Sequence, residues 1–137
     1  MKYRLTDETL EWRGHTLHRI ECVTPFGNVK KGDKGGWIEK EDNLSQNGNC
    51  WVSDEAKVYG NVIVRGNAVV CGDAIVRGNA VVYEDAVVSD DAAVCGRAVV
   101  CGIAKVSDNA VVGDKSVVYG NAEICGYTKI CGDTVVG

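Results

Sequence analysis

From Ala56 to the last residue the chain repeats every six residues, and that period limits what it can fold into more than any other property. Ala56-Lys57-Val58-Tyr59-Gly60-Asn61 is followed by Val62-Ile63-Val64-Arg65-Gly66-Asn67, and the register runs unbroken to Thr134-Val135-Val136-Gly137. The third position is Val or Ile in all 14 hexads, and the first is Ala in ten of them. Within a hexad the local period is two, with a small residue inward, a variable residue outward, then Val inward. Gly-Asn, Gly-Asp or Asp-Asp then breaks the strand with residues that tolerate a positive φ. Such short strands, with a corner every six residues, cannot form hairpins with ordinary loops. They can wind into a coil whose strands stack on the previous turn as parallel sheets. The apolar composition agrees: Val occurs 23 times, whereas all four Leu and the one Phe precede residue 45. A core of Val and Ala without Leu suits stacked strands better than helices.

This pattern resembles the hexapeptide repeats of the single-stranded left-handed parallel β-helix, the fold of the trimeric LpxA-like superfamily. The resemblance implies an all-β coil of triangular section with three hexads per turn. Acyltransferase hexads usually place Gly directly after the inward aliphatic residue, whereas here one residue intervenes, as in Val58-Tyr59-Gly60 and Val76-Arg77-Gly78. A narrower likeness lies in the leader. Phe26-Gly27-Asn28-Val29, Gly32-Asp33-Lys34-Gly35-Gly36-Trp37-Ile38-Glu39, Glu41-Asp42-Asn43-Leu44-Ser45 and Trp51-Val52 resemble the corresponding segment of YdcK-like hexapeptide-repeat proteins of phages and prophages.

Ahead of the leader, Thr9 to Arg13 and Thr16 to Glu21 alternate around Gly14-His15 and read as a β-hairpin. Ile38, Leu44 and Cys50 fall six apart and in phase with Ala56, so the coil is expected to start near residue 38, although Lys40 and Gln46 break the inward rule. The expected organisation is a hairpin and cap over residues 1–37 and a β-helix over 38–137, in one compact domain. Trp12, Phe26 and Trp37 are expected to plug the open first turn.

The sequence argues against several chemistries. Hydrophobic residues make up 45% of the chain and charged residues 25%, with 15 Lys+Arg against 19 Asp+Glu, which speaks against disorder and against direct nucleic-acid binding. No stretch approaches the roughly 18 apolar residues of a membrane span, and the first residues lack a signal-peptide core, so a cytoplasmic protein is expected. Enzymes of the β-helix family that the hexads resemble rely on histidines, one as general base in acyltransferases or three on zinc in carbonic anhydrases. This chain has two, His15 and His18, both in the hairpin, where exposed polar positions are the more common reading. Uninterrupted hexads leave no inserted loop to close over a substrate. The expectation is therefore no catalytic residue and no enzyme.

Seven cysteines invite a disulfide or zinc reading. Projected on the coil, Cys71 and Cys125 share a vertex three rungs apart, and Cys95 and Cys131 share another two rungs apart. With rungs stacking about 4.8 Å apart, the nearest pair is about 10 Å distant. A disulfide needs Cα atoms within about 7 Å, and zinc needs ligands converging at about 2.3 Å. Free thiols are expected, with Cys50 inward and no cofactor or metal.

Two outer surfaces stand out. Asp54, Glu55, Asp73, Asp90, Asp91 and Asp108 fall on one vertex, either as solvated corner residues or as an acidic ridge for a basic partner. Ile63, Val81, Val99, Val117 and Val135 make one outer face apolar on every rung, as a homo-oligomer interface (trimer or dimer) or as a surface covered by residues 3–24. The leading expectation is a phage-type binding protein that acts on a host protein, for example as an antagonist of host defence. The alternatives are an acyl- or sugar-transferase-like enzyme, and a nucleotide sponge using Arg65, Arg77 or Arg97.

Overall fold

The computed structural model describes all 137 residues. It is an all-β chain with a single short 3-10 turn at Glu41–Asn43. Two long strands, β1 (Tyr3–Trp12) and β2 (His15–Cys22), precede β3 (Lys34–Ile38). Every later strand has two residues, from Trp51–Val52 to Val135–Val136. The later strands stack in register into three parallel sheets, which are the faces of a left-handed parallel β-helix of about six turns. The first face carries Lys57–Val58, Ile75–Val76, Ala93–Val94, Val111–Val112 and Lys129–Ile130.

Each rung hydrogen-bonds to the next, as where Ile75 N–H donates to Ala92 O at 3.0 Å and Arg77 N–H to Val94 O at 2.9 Å. The inner column is dry. Ala56, Val58, Ala74, Val76, Val82 and Val100 are fully buried, within a core cluster of 31 residues. Corners need positive φ, and Gly, Asp or Glu84 supplies it, as at Gly60 (78°), Gly78 (79°), Asp54 (56°) and Asp90 (56°).

The first turn differs from the expected phase. Ile38 pairs with Val58 and Leu44 bridges to Val64, 20 residues on, whereas Val52 pairs with Val70 at 18. Ile38 and Leu44 therefore fill the Val position and not the Ala position of the hexad. The two extra residues are taken up between Ser45 and Cys50. Lys40 and Gln46 then break no rule, because neither is an inward position. Lys40 Nζ donates to Asn61 Oδ1 at 3.0 Å on the outside. Gln46 binds the backbone of Lys2 and Tyr3, accepting from the Lys2 N–H at 2.8 Å and donating to Tyr3 O at 3.1 Å.

The plug also differs from expectation. Tyr3 and Ile20, both fully buried, close the first turn, with Phe26 packed beside them. The Lys2 ammonium caps the end of the coil by donating to the Cys50 carbonyl at 2.8 Å. Trp37 lies outside the coil, in a separate cluster with Leu17 and Tyr59 against which Trp12 packs. The reason is the path of the hairpin. It continues the first face beyond the first turn, in the order β1-β2-β3 and then the first-face strands, with Tyr3 and Ile20 in the main core and Trp12 and Trp37 in the separate cluster.

Candidate functional site

The hairpin turn is Arg13-Gly14, with φ of 49° and 85°, so Trp12 and His15 face each other across the strands. Both positive values fit the two-residue turn that matches strand twist. Because β2 pairs antiparallel with β3, which in turn stacks on the coil, His15 reaches the first face of the coil. Its ring lies 4.7 Å from the Tyr59 ring, centroid to centroid. Its Nδ1 is 2.8 Å from Glu39 Oε2.

Glu39 is held from both sides. Its Oε1 accepts the Gly60 backbone N–H at 2.9 Å, and its own N–H donates to Asn43 Oδ1 at 3.1 Å. Burial alone would raise its pKa, but the hydrogen bond from His15, the Gly60 N–H and the charges of His15 and Lys40 together hold it below the ordinary 4.5. Glu39 is thus an anion at neutral pH and can only accept. Nδ1 of His15 therefore donates to it, and whenever the ring is neutral the lone pair sits on Nε2.

His15 lines a groove of about 450 Å³ with Arg13, Tyr59, Gly60, Asn61, Arg77, Gly78 and Asn79. Arg77 follows Tyr59 by one turn in the same outward column, and Asn61 Nδ2 donates to Asn79 Oδ1 at 3.2 Å along the adjoining vertex. The groove combines an oriented imidazole, two guanidinium groups and amide edges. It can bind a polar molecule and remove a proton from it.

Sequence reasoning missed this site. It set His15 aside as exposed and gave Glu39 no role. Each lies outside the hexads, which do not fix the register between β2 and β3. The signal available was the Gly35-Gly36-Trp37-Ile38-Glu39 run, where a carboxylate directly follows the first inward residue of the coil.

The residues singled out beforehand are spread over the molecule. Asp73, Asp90, Asp91 and Asp108 border one shallow groove with Asn109 and Tyr127. Asp90 and Asp108 each accept the backbone N–H one turn on, at 3.0 and 2.9 Å, as Asp54 does at 3.0 Å. Glu55 pairs with Arg19 at 3.1 Å. No group of three or more His, Cys, Asp or Glu converges as a metal site would require. Ile63, Val81, Val99, Val117 and Val135 stack in register on one face. The hairpin joins a different face and leaves this one uncovered. Arg65, Arg77 and Arg97 line three separate grooves. All seven cysteines are free, from fully buried Cys50 to exposed Cys125 and Cys131. No helix is long and apolar enough to cross a membrane.

No protein-family model matches the chain. It is 34% identical over 71 residues to a protein of Escherichia coli (strain K12) named "Uncharacterized acetyltransferase YdcK". The match covers 45% of this chain and 22% of that protein. Match and coil together fit the hexapeptide-repeat β-helix superfamily. The similarity also overturns the expectation of a non-enzyme, since it points to a transferase. One of its physical grounds, the lack of a histidine at the coil, does not hold either, because the hairpin carries His15 to the coil.

Proposed function

We propose that this chain is an acyl-transfer enzyme of the hexapeptide-repeat β-helix class, with His15 as general base. The observation that carries the reading is the His15 Nδ1–Glu39 Oε2 contact of 2.8 Å at the wall of the groove. The acetyltransferase name of the similar protein supports the same class. In the step, Nε2 takes the proton of an acceptor hydroxyl or amine as its heteroatom attacks the donor's acyl carbon. The tetrahedral adduct then collapses and expels the donor's thiolate, which takes the proton back from Nε2. Glu39 holds the ring in the useful tautomer and stabilises the imidazolium that forms between the two transfers. Tyr59 supports the ring from the coil side.

General-base catalysis of this kind contributes about 10²- to 10⁴-fold. His15→Gln is expected to lower acetyl transfer from a labelled acetyl thioester, across a panel of hydroxyl and amine acceptors, by about 100-fold or more. The product should be followed by mass, since the chain's own seven thiols disturb a thiol readout. An unchanged rate in a His15→Gln protein that melts like the wild type would contradict the assignment.

A further inference from the structure

From the charges that surround His15 we infer that the acceptor carries an oxyanion, a phosphate monoester or a carboxylate, held by Arg13 and Arg77. This rests on the acyl-transfer reading for the acceptor's role, although the anion site itself does not. The two guanidinium groups line the same groove as the imidazole, and neither forms an ion pair or a side-chain hydrogen bond within the chain; Arg13 lies over the Trp12 ring, 5.6 Å from its centroid, which leaves its N–H groups unpaired. The other arginines of the hairpin are engaged: Arg4 pairs with Glu21 at 2.6 Å, and Arg19 with Glu55 at 3.1 Å. Glu39, the carboxylate beside the groove, is committed to His15 and Gly60. Tyr59 is the one apolar residue of the eight that line the groove, so an apolar acceptor finds little there to bury against.

Arg13 sits in the hairpin turn itself. It adopts φ 49° at a turn position where Gly, Asn or Asp would be relaxed. The turn therefore places a long cationic side chain two residues from His15. The planar forks of two arginines suit a phosphate or carboxylate oxygen pair. With the anion fixed there, the acceptor's hydroxyl or amine is left to meet Nε2.

The test uses the full chain and its two histidines, whose ring protons are countable in a proton NMR spectrum. Glucose 6-phosphate and glucuronate are expected to shift the His15 ring resonance in a saturable way, while glucose does not and His18 stays fixed. Arg77→Gln, and Arg13→Asn, which suits the turn, should each weaken that binding by about tenfold. In the transfer assay, anionic acceptors should exceed their neutral counterparts by about tenfold in kcat/KM, a preference that Arg77→Gln removes. Saturable anion binding with no transfer to any acceptor would retire the acyl-transfer reading and leave the anion site standing. Transfer that needs His15 but ignores acceptor charge and both arginines would overturn the anion site alone. Equal shifts with glucose and glucose 6-phosphate would overturn it too.

Discussion

The coil and the hairpin solve different problems. In the coil every rung repeats the one below, so each inward residue sees the same small column and each corner the same turn. Val82 and Val100 are interchangeable in kind. In the hairpin and leader nothing repeats: Tyr3 seals an end, Arg19 bridges to Glu55, and His15 reaches Glu39. The comparison teaches where function can be placed. A repetitive coil supplies a rigid face, and the one segment that escapes the repeat supplies the chemical group that breaks its uniformity.

The largest effect is expected inside the coil. Val82→Asp would place an unpaired carboxylate in a fully buried column and cost several kcal/mol, enough to prevent folding. Expression followed by a thermal melt checks it, and a soluble, cooperatively melting variant would break the inward register. Next comes the seam between the two regions. Leu17 is fully buried beside Trp37 and Tyr59, and Leu17→Ala should cost about 2–4 kcal/mol. Hydrogen exchange should show the loss concentrated in residues 3–22, with the coil's amides protected. Uniform loss would mean that hairpin and coil unfold as one unit.

How much of this was legible in the sequence follows the same division. The hexads gave the face, the inward column and the corners, because a strict period in sequence is a strict period in space. They also put Asp54, Asp90 and Asp108 at corners, where each combines a positive φ with a bond to the next rung. The phase of Ile38 and Leu44 was not legible, because a corner with two extra residues leaves no mark but a broken count. Nor was the site. Its geometry depends on the register of β2 against β3 and on a bulge between Arg19 and Glu21, and no local pattern sets either.

Smaller effects sharpen the contrast. Asp90 Oδ2 accepts the Asp108 N–H at 3.0 Å from a residue at φ 56°. Asp90→Ala loses that bond and strains the corner, at about 1–2 kcal/mol, whereas Asp90→Gly loses only the bond and should cost less. The reverse order, read by denaturant midpoints, would assign the acid another role. At Glu39 the effect depends on pH. Its folded pKa lies below the ordinary 4.5, so its contribution is present above that value and fades as pH falls through the lowered one. Glu39→Gln should therefore flatten that part of the acid stability profile, and a profile unchanged by the substitution would remove the pair from the account. At Cys71, burial chiefly, with Asp54 and Asp90, pushes the thiol up. It should react with alkylating reagents at neutral pH more slowly than exposed Cys125, as peptide mapping would show.

The central claim is that a residue of the hairpin and a residue of the leader act as one catalytic unit. A double-mutant cycle on acetyl transfer tests it most directly, with His15→Gln, Glu39→Gln and both together, each checked by its melt. The account predicts a large loss for His15→Gln, a smaller one for Glu39→Gln, and a double variant no slower than His15→Gln alone. Two losses that multiply in the double variant would contradict it.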